Sequence, residues 1–170
     1  IASAILLEPE LLLCDEAVSS LDAATRTQIL DLLLRVVKEK KIACLFISHD
    51  MALIRRISHR TGVLYKGTLA ECAKTRDLCR DPWHPYTKAL LDSVMQPDPL
   101  KARKQKVPAV HEGKSEGGCP YFGSCGYKME MCKDAAPEMY DFEGRAVSCH
   151  LYSKQQRAGR NPNYKMTSQI

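Results

Sequence analysis

Apolar residues fall in short blocks along this chain, and the spacing inside each block predicts an element. Leu11-Leu12-Leu13-Cys14 is a continuous aliphatic run closed by two carboxylates, Asp15 and Glu16. Its length and lack of alternation fit a strand over 10–16 of the parallel kind that is buried on both faces. Ile29, Leu32, Leu33, Val36 and Val37 recur at helical spacing, which predicts a helix over 23–40. Asp22 stands where an N-cap belongs, and Lys38, Lys40 and Lys41 crowd the far end, where the helix dipole favours cations. Ile42 to Ser48 predicts a second buried strand. Asp50 can cap a further helix over 51–58, with Leu53, Ile54 and Ile57 on one face.

Thr61–Tyr65 and Thr68–Cys72 flank Lys66-Gly67, the pattern of a short hairpin. Residues 74–80 and 86–95 predict short helices on either side of Asp81-Pro82-Trp83-His84-Pro85. The strand–helix–strand order at the start implies a right-handed parallel crossover and hence an α/β layered core. From Gln96 to Gly118 the composition shifts to Pro, Lys, Gly and Glu. The expected organisation is a core portion over 1–72, a helical extension over 73–98, a linker over 99–118, a cysteine-bearing appendage over 119–152 and a polar tail over 153–170.

Composition narrows the function classes. The 170 residues are 45% hydrophobic and 26% charged, a globular ratio, and no apolar run approaches the roughly 18 residues of a membrane span. The apolar start is broken by Glu8-Pro9-Glu10 and lacks a basic leader, so a signal peptide is not expected; a first residue of Ile leads us to expect a processed product or a fragment. Residues 1–72 hold nine Lys/Arg and nine Asp/Glu, so the net charge of +5 lies wholly in 73–170, with sixteen and eleven. That excess is thinly spread and reads as a solvated surface. With three Phe and one Trp, no aromatic platform for a nucleic acid is expected.

The candidate chemistry begins at the end of the first strand. Side chains there project into the crevice where α/β proteins bind ligands. A first carboxylate can hold Mg²⁺, usually through water, and a second can polarise the water that attacks phosphorus. The whole run Leu11-Leu12-Leu13-Cys14-Asp15-Glu16-Ala17-Val18-Ser19-Ser20-Leu21-Asp22 closely resembles the Walker B segment and following D-loop of ABC-type ATPases. Phe46-Ile47-Ser48-His49-Asp50, one helix and one strand later, resembles the same family's switch histidine segment. The resemblance implies the fold of a P-loop-type ABC ATPase core, with ATP and Mg²⁺ as cofactors. It further implies that Asp15 is the Mg²⁺-associated carboxylate and Glu16 the general base that orients water. His49 would contact the γ-phosphate and link Glu16 to nucleotide state, while Ser19 and Asp22 form the D-loop that reaches across an ATPase dimer. His59 is expected at the surface.

Two family elements are missing from the sequence. There is no Gly-x-x-x-x-Gly-Lys-Ser/Thr to cradle phosphates, and no glycine-rich signature loop; Ile1-Ala2-Ser3-Ala4 resembles the helix that follows that loop. The chain therefore looks like the C-terminal half of such a subunit, expected inactive alone and expected to leave one face of its sheet open. His84-Pro85-Tyr86-Thr87-Lys88-Ala89-Leu90-Leu91 resembles the segment that follows the core in oligopeptide/dipeptide importer ATPases and their nickel-importing relatives. It marks lineage rather than chemistry, and His84 is expected to pack or cap. The resemblance implies a peripheral protein on the cytoplasmic face of the membrane. Its implied partners are a second ABC ATPase subunit, two membrane permease subunits and, indirectly, an extracytoplasmic substrate-binding protein. Peptides are the favoured cargo, with nickel or another small solute as the alternative. An ABC ATPase acting in repair or translation would lack both the His84-Pro85-Tyr86 segment and the cysteine tail.

Eight cysteines separate into two sets. Cys14, Cys44, Cys72 and Cys79 lie in apolar or mixed segments and read as ordinary thiols. Cys119-x5-Cys125-x6-Cys132-x16-Cys149 places four soft ligands within 31 residues, on a segment too poor in apolar residues to build its own core. Thiolates suit Zn²⁺ or iron–sulfur clusters. The close Cys pairs common in structural zinc sites are absent from the spacing, and four cysteines match the ligand count of a 4Fe-4S cluster. The motif resembles the C-terminal cysteine motif of the peptide-importer ATPases, which in that family can ligate such a cluster. Zinc, disulfides and unligated thiols remain open, as does a metal or redox module carried on an ATPase remnant. His150 is expected beside the site or at the surface rather than as a ligand.

Overall fold

The computed structural model describes residues 2–94 and 117–153. Most of the predicted linker and tail lie outside the described residues. The chain divides into two compact units, 1–58 and 59–170, each with its own packing.

In the first unit a short helix α1 (Ala2–Ile5) leads to β1 (Leu11–Asp15), α2 (Ala23–Lys40), β2 (Ala43–Ile47) and α3 (Met51–Ile57). Strands β1 and β2 are parallel and paired in register, Leu11 with Ala43 through Asp15 with Ile47. Helix α2 starts where Asp22 accepts hydrogen bonds from the amides of Ala24 and Thr25. It stops at Lys41, whose left-handed φ of 55° turns the chain into β2. One face of the two strands is packed: Leu12, Cys14, Leu33 and Ile42 form a buried cluster, extended by Val37 and Phe46. A second cluster joins Val18, Leu30 and Leu53.

Two expectations are corrected here. The strands are not buried on both faces: Leu11, Leu13, Leu45 and Ile47 are exposed, so β1 alternates between open and packed positions. A two-stranded sheet has a helical layer on one side only, and the aliphatic run keeps the composition of a strand made for two layers. The apolar stripe of α2 is also displaced. Leu30, not singled out by the periodicity, is buried, whereas Leu32 is 53% exposed. Among the described residues no helix is long and apolar enough to cross a membrane.

The second unit opens with the predicted hairpin, β3 (Arg60–Tyr65) and β4 (Thr68–Lys74). Lys66 and Gly67 both take positive φ, 46° and 80°, the combination that matches a two-residue turn to strand twist. Helices α4 (Thr75–Arg80) and α5 (Pro85–Val94) follow. The cysteine-bearing segment is built from a 3-10 turn at Phe122–Ser124, a one-turn helix α6 (Met131–Asp134), a hairpin of β5 (Tyr140–Phe142) and β6 (Arg145–Val147), and a 3-10 turn at His150–Tyr152. It is no separate appendage. Strand β6 pairs antiparallel with β4, Val147 opposite Glu71 and Ala146 opposite Cys72, so the four strands form one sheet in the order β3-β4-β6-β5.

At the centre of that sheet lies a buried charge. Glu71 has no exposed surface. Its carboxylate accepts hydrogen bonds from the amides of Trp83 at 3.0 and 3.1 Å and His84 at 2.8 Å, and from Arg145 Nη2 at 2.7 Å. Arg145 lies 4.0 Å over the Trp83 ring and also donates to the carbonyl of Asp81. Trp83 stacks in turn on Tyr152, whose hydroxyl donates to the Trp83 carbonyl. Removing one member of a buried pair strands the other, at about 3–5 kcal/mol. Glu71→Ala is expected to destabilise the second unit by that amount in denaturant unfolding. The double variant Glu71→Leu, Arg145→Met is expected to recover most of it; equal stability of single variant and parent would refute the role of the pair.

Candidate functional site

The first site grows out of the ends of β1 and β2. Glu16 follows β1 with a left-handed φ of 47°, costly for a residue with a Cβ and held here by bonds on both sides. Its amide donates to the Ile47 carbonyl at 3.1 Å, and its own carbonyl accepts from the amide and the hydroxyl of Ser19 at 3.1 and 2.8 Å. That turn aims the Glu16 carboxylate at His49, whose Nδ1 lies 2.7 Å from Glu16 Oε1. The carboxylate accepts and the imidazole N–H donates. The bond to His49 holds the Glu16 carboxyl below the usual glutamate range. Glu16, Ser19, Arg26, Ser48, His49 and Asp50 line one shallow pocket.

The other predicted residues take different places. Asp22 is the N-cap of α2, and hydrogen bonds from the Thr25 side chain, the Thr25 amide and the Ala24 amide hold its carboxyl below the usual range. Asp15 ends β1 opposite Ile47 and is exposed, outside that pocket. Asp50 caps α3 by accepting from the Leu53 amide at 3.0 Å. His59 is exposed, as expected. Sequence reading missed Arg26. It donates to the Leu21 carbonyl at 2.9 Å and lies 3.6 Å from the Asp50 carboxylate, tying the 19–22 loop to the cap of α3. The signal was present as a lone cation in the first turn of α2, the end the dipole disfavours for positive charge.

This arrangement can do one thing: keep a carboxylate ionised and oriented beside an imidazole at the carboxyl ends of two parallel strands. His49→Ala is expected to move the Glu16 midpoint upward, toward the ordinary carboxylate range, in a carboxyl-carbon NMR titration. An unmoved midpoint would refute the pairing.

The second site lies in the other unit. Cys119, Cys125, Cys132 and Cys149 line a single pocket, with His84 and His150 in its wall. The Cys119 amide donates to the Cys132 carbonyl at 2.8 Å. Gly118 permits this approach, since a Cβ there would stand 2.2 Å from the Lys133 carbonyl oxygen. Backbone amides are directed at three of the sulfurs: those of Tyr121 and Phe122 at Cys119, Tyr127 at Cys125 and Leu151 at Cys149. Burial outweighs them and pushes all three thiols up, Cys149 to about 12.

None of the eight cysteines is in a disulfide. Among the described residues no group of three or more His, Cys, Asp or Glu side chains is placed to hold a metal ion. The four cysteines share a pocket without closing on one point.

His84, expected to pack or cap, is 4% exposed. Its Nδ1 accepts from the Tyr86 amide at 3.0 Å. Burial lowers its pKa. His150 is buried, with Nε2 2.9 Å from the Ala135 carbonyl and Nδ1 without a hydrogen-bond partner.

Much of this sequence is shared with known proteins. Residues 70–132 match the family described as Oligopeptide/dipeptide transporter, C-terminal region. The chain is 40% identical over 158 residues to a Bacillus subtilis (strain 168) protein named as an oligopeptide transport ATP-binding protein, covering 89% of this chain and 48% of that one. It is 36% identical over 152 residues to the dipeptide transport ATP-binding protein of Haemophilus influenzae, covering 88% and 46%. To the oligopeptide transport ATP-binding protein of Streptococcus pyogenes it is 42% identical over 111 residues, covering 65% and 36%. Over most of its length the chain is similar to ATP-binding proteins of oligopeptide and dipeptide transport. It spans about half the length of the curated relatives it matches.

Proposed function

We propose that this chain is the C-terminal half of the ATP-binding subunit of an ABC importer for oligopeptides or dipeptides. The observation that carries the reading is the 2.7 Å bond between Glu16 and His49 at the ends of β1 and β2. A glutamate held ionised can take a proton from water as that water attacks a γ-phosphate. An imidazole bonded to it can transmit whether the phosphate is present. Asp15, beside them at the end of β1, would hold Mg²⁺, and Ser19 and Asp22 would present the D-loop to a second ATPase subunit.

No Gly-x-x-x-x-Gly-Lys-Ser/Thr phosphate cradle stands among these 170 residues, so this reading assigns ATP turnover to a subunit that also carries that loop. The assembled subunit would work at the cytoplasmic face of the membrane beneath two permease subunits, with a binding protein delivering the peptide outside. In a protein that carries both halves, Glu16→Gln is expected to lower ATP turnover at least about a hundredfold, the scale of losing a general base, with nucleotide binding retained. Undiminished turnover would remove Glu16 from its role.

We further propose that Cys119, Cys125, Cys132 and Cys149 hold a 4Fe-4S cluster rather than Zn²⁺. Four thiolates around a bare ion must converge to about 2.3 Å from its centre. A four-iron cluster is bulkier and its ligand sulfurs stand further apart. The four cysteines line one pocket and match the ligand count of that cluster. Amides directed at three sulfurs would stabilise thiolates once a cluster supplies positive charge. Such a cluster supplies structural cross-linking and the capacity for one-electron chemistry.

Thiols raised by burial must lose protons on loading, so uptake is expected to strengthen as pH rises and to weaken as it falls. Anaerobic reconstitution with ferrous iron and sulfide, followed by iron analysis across that range, tests this. Stoichiometric zinc taken up in preference to iron, or iron uptake independent of pH, would overturn it.

A further inference from the structure

Glu16 and His49 meet at the surface, with side chains 41% and 82% exposed. A pair open to water holds itself weakly, because solvent competes for both groups. The chain that carries His49 must therefore be placed by other contacts. We propose that Arg26 is the positioning residue that keeps His49 on Glu16, by tying the Asp50 carboxylate to the loop after Glu16. The tie stands on geometry alone; its effect on turnover rests on the reading of Glu16 and His49 as the ATPase pair.

Arg26 divides its guanidinium between two segments. Nη2 donates to the carbonyl of Leu21 at 2.9 Å and, more loosely, to that of Ser19 at 3.4 Å. Nη1 faces Asp50 Oδ2 at 3.6 Å. A planar fork with fixed angles between its donors can serve both directions at once, which a lysine ammonium on a flexible stem does not do. Asp50 is divided likewise. Its Oδ1 accepts from the Leu53 amide and caps α3, which leaves Oδ2 for Arg26.

These contacts close a ring. The Glu16 carbonyl is bonded to Ser19, the Ser19 carbonyl to Arg26, and Arg26 is paired with Asp50. Asp50 directly follows His49, and its amide donates to the Ser48 hydroxyl at 3.1 Å, which closes the turn 48–50 on itself. From that turn His49 returns to Glu16 at 2.7 Å. Glu16, Ser19, Arg26, Ser48, His49 and Asp50 all line the same pocket. Arg26 is the one member that lies within α2, the longest helix of the unit, so it also anchors the ring. Without it the ring opens between loop and cap, and His49 is left to its own exposed bond.

Two variants cut the tie from opposite ends. Arg26→Gln keeps an amide donor for the Leu21 carbonyl and loses the charge opposite Asp50. Asp50→Asn keeps an oxygen to cap α3 and loses the charge opposite Arg26. The first readout is the set of three-bond NMR couplings across His49 χ1 in the 170-residue chain, which distinguish a ring held in one rotamer from one that averages. One rotamer is expected in the parent and averaging in each variant. The double variant is expected to go no further, because both changes remove the same tie.

The second readout is ATP turnover in a protein that carries both halves. Each variant is expected to lower kcat about tenfold, the scale of one lost hydrogen bond, with KM for ATP unchanged. A single His49 rotamer in both variants, or an averaging ring in the parent, would overturn the proposal. Averaging in Arg26→Gln but not in Asp50→Asn would do so too, by assigning Arg26 to the loop alone. A ring freed in both variants with undiminished turnover would uphold the positioning and refute the ATPase reading of the pair.

Discussion

Everything in the second unit is arranged around one carboxylate that has no contact with water. A charge withdrawn from solvent must be matched nearly in full, and Glu71 is matched by one guanidinium and two backbone amides. Glu71 stands on β4, and its partners lie in two other stretches, the turn before α5 and β6. The ion pair therefore dictates that the turn and the cysteine-bearing hairpin meet on the same strand. The stack of Arg145, Trp83 and Tyr152 covers the pair with flat rings. The position of His84 follows from that arrangement, since its amide donates to Glu71.

The first unit uses no buried charge. Its geometry comes from backbone capping, with Asp22 and Asp50 closing the starts of two helices and Arg26 linking the two loops. The strained turn at Glu16 is the product of those constraints, since bonds from Ile47 and Ser19 leave it no relaxed alternative. The site is thus set by short local contacts, while the open face of β1 and β2 shows that its aliphatic composition suits a second layer.

Much of this was readable before any coordinates. The α2 boundaries, the Asp22 and Asp50 caps and the hairpin at Lys66-Gly67 all rest on local signals: a cap residue, a turn dipeptide. What escaped is non-local. Nothing near Arg145 announces that it will meet Glu71, seventy-four residues earlier. A single acid within Leu69-Ala70-Glu71-Cys72-Ala73 was the available hint, since a charge in a small, apolar strand must find a partner. Leu30 and Leu32 exchanged places for a related reason: which side of a helix is covered depends on what packs there, and periodicity cannot supply that.

Burial of the cysteine pocket has one more effect, on the reactivity of its thiols. Peroxide and disulfide exchange both require the thiolate, and a thiol pushed up to about 12 supplies almost none at neutral pH. A newly made chain would present four sulfurs in close company, an arrangement that ordinarily invites oxidation. The desolvation that raises Cys119, Cys125 and Cys149 therefore shields them from oxidation while they stand beside one another in one pocket.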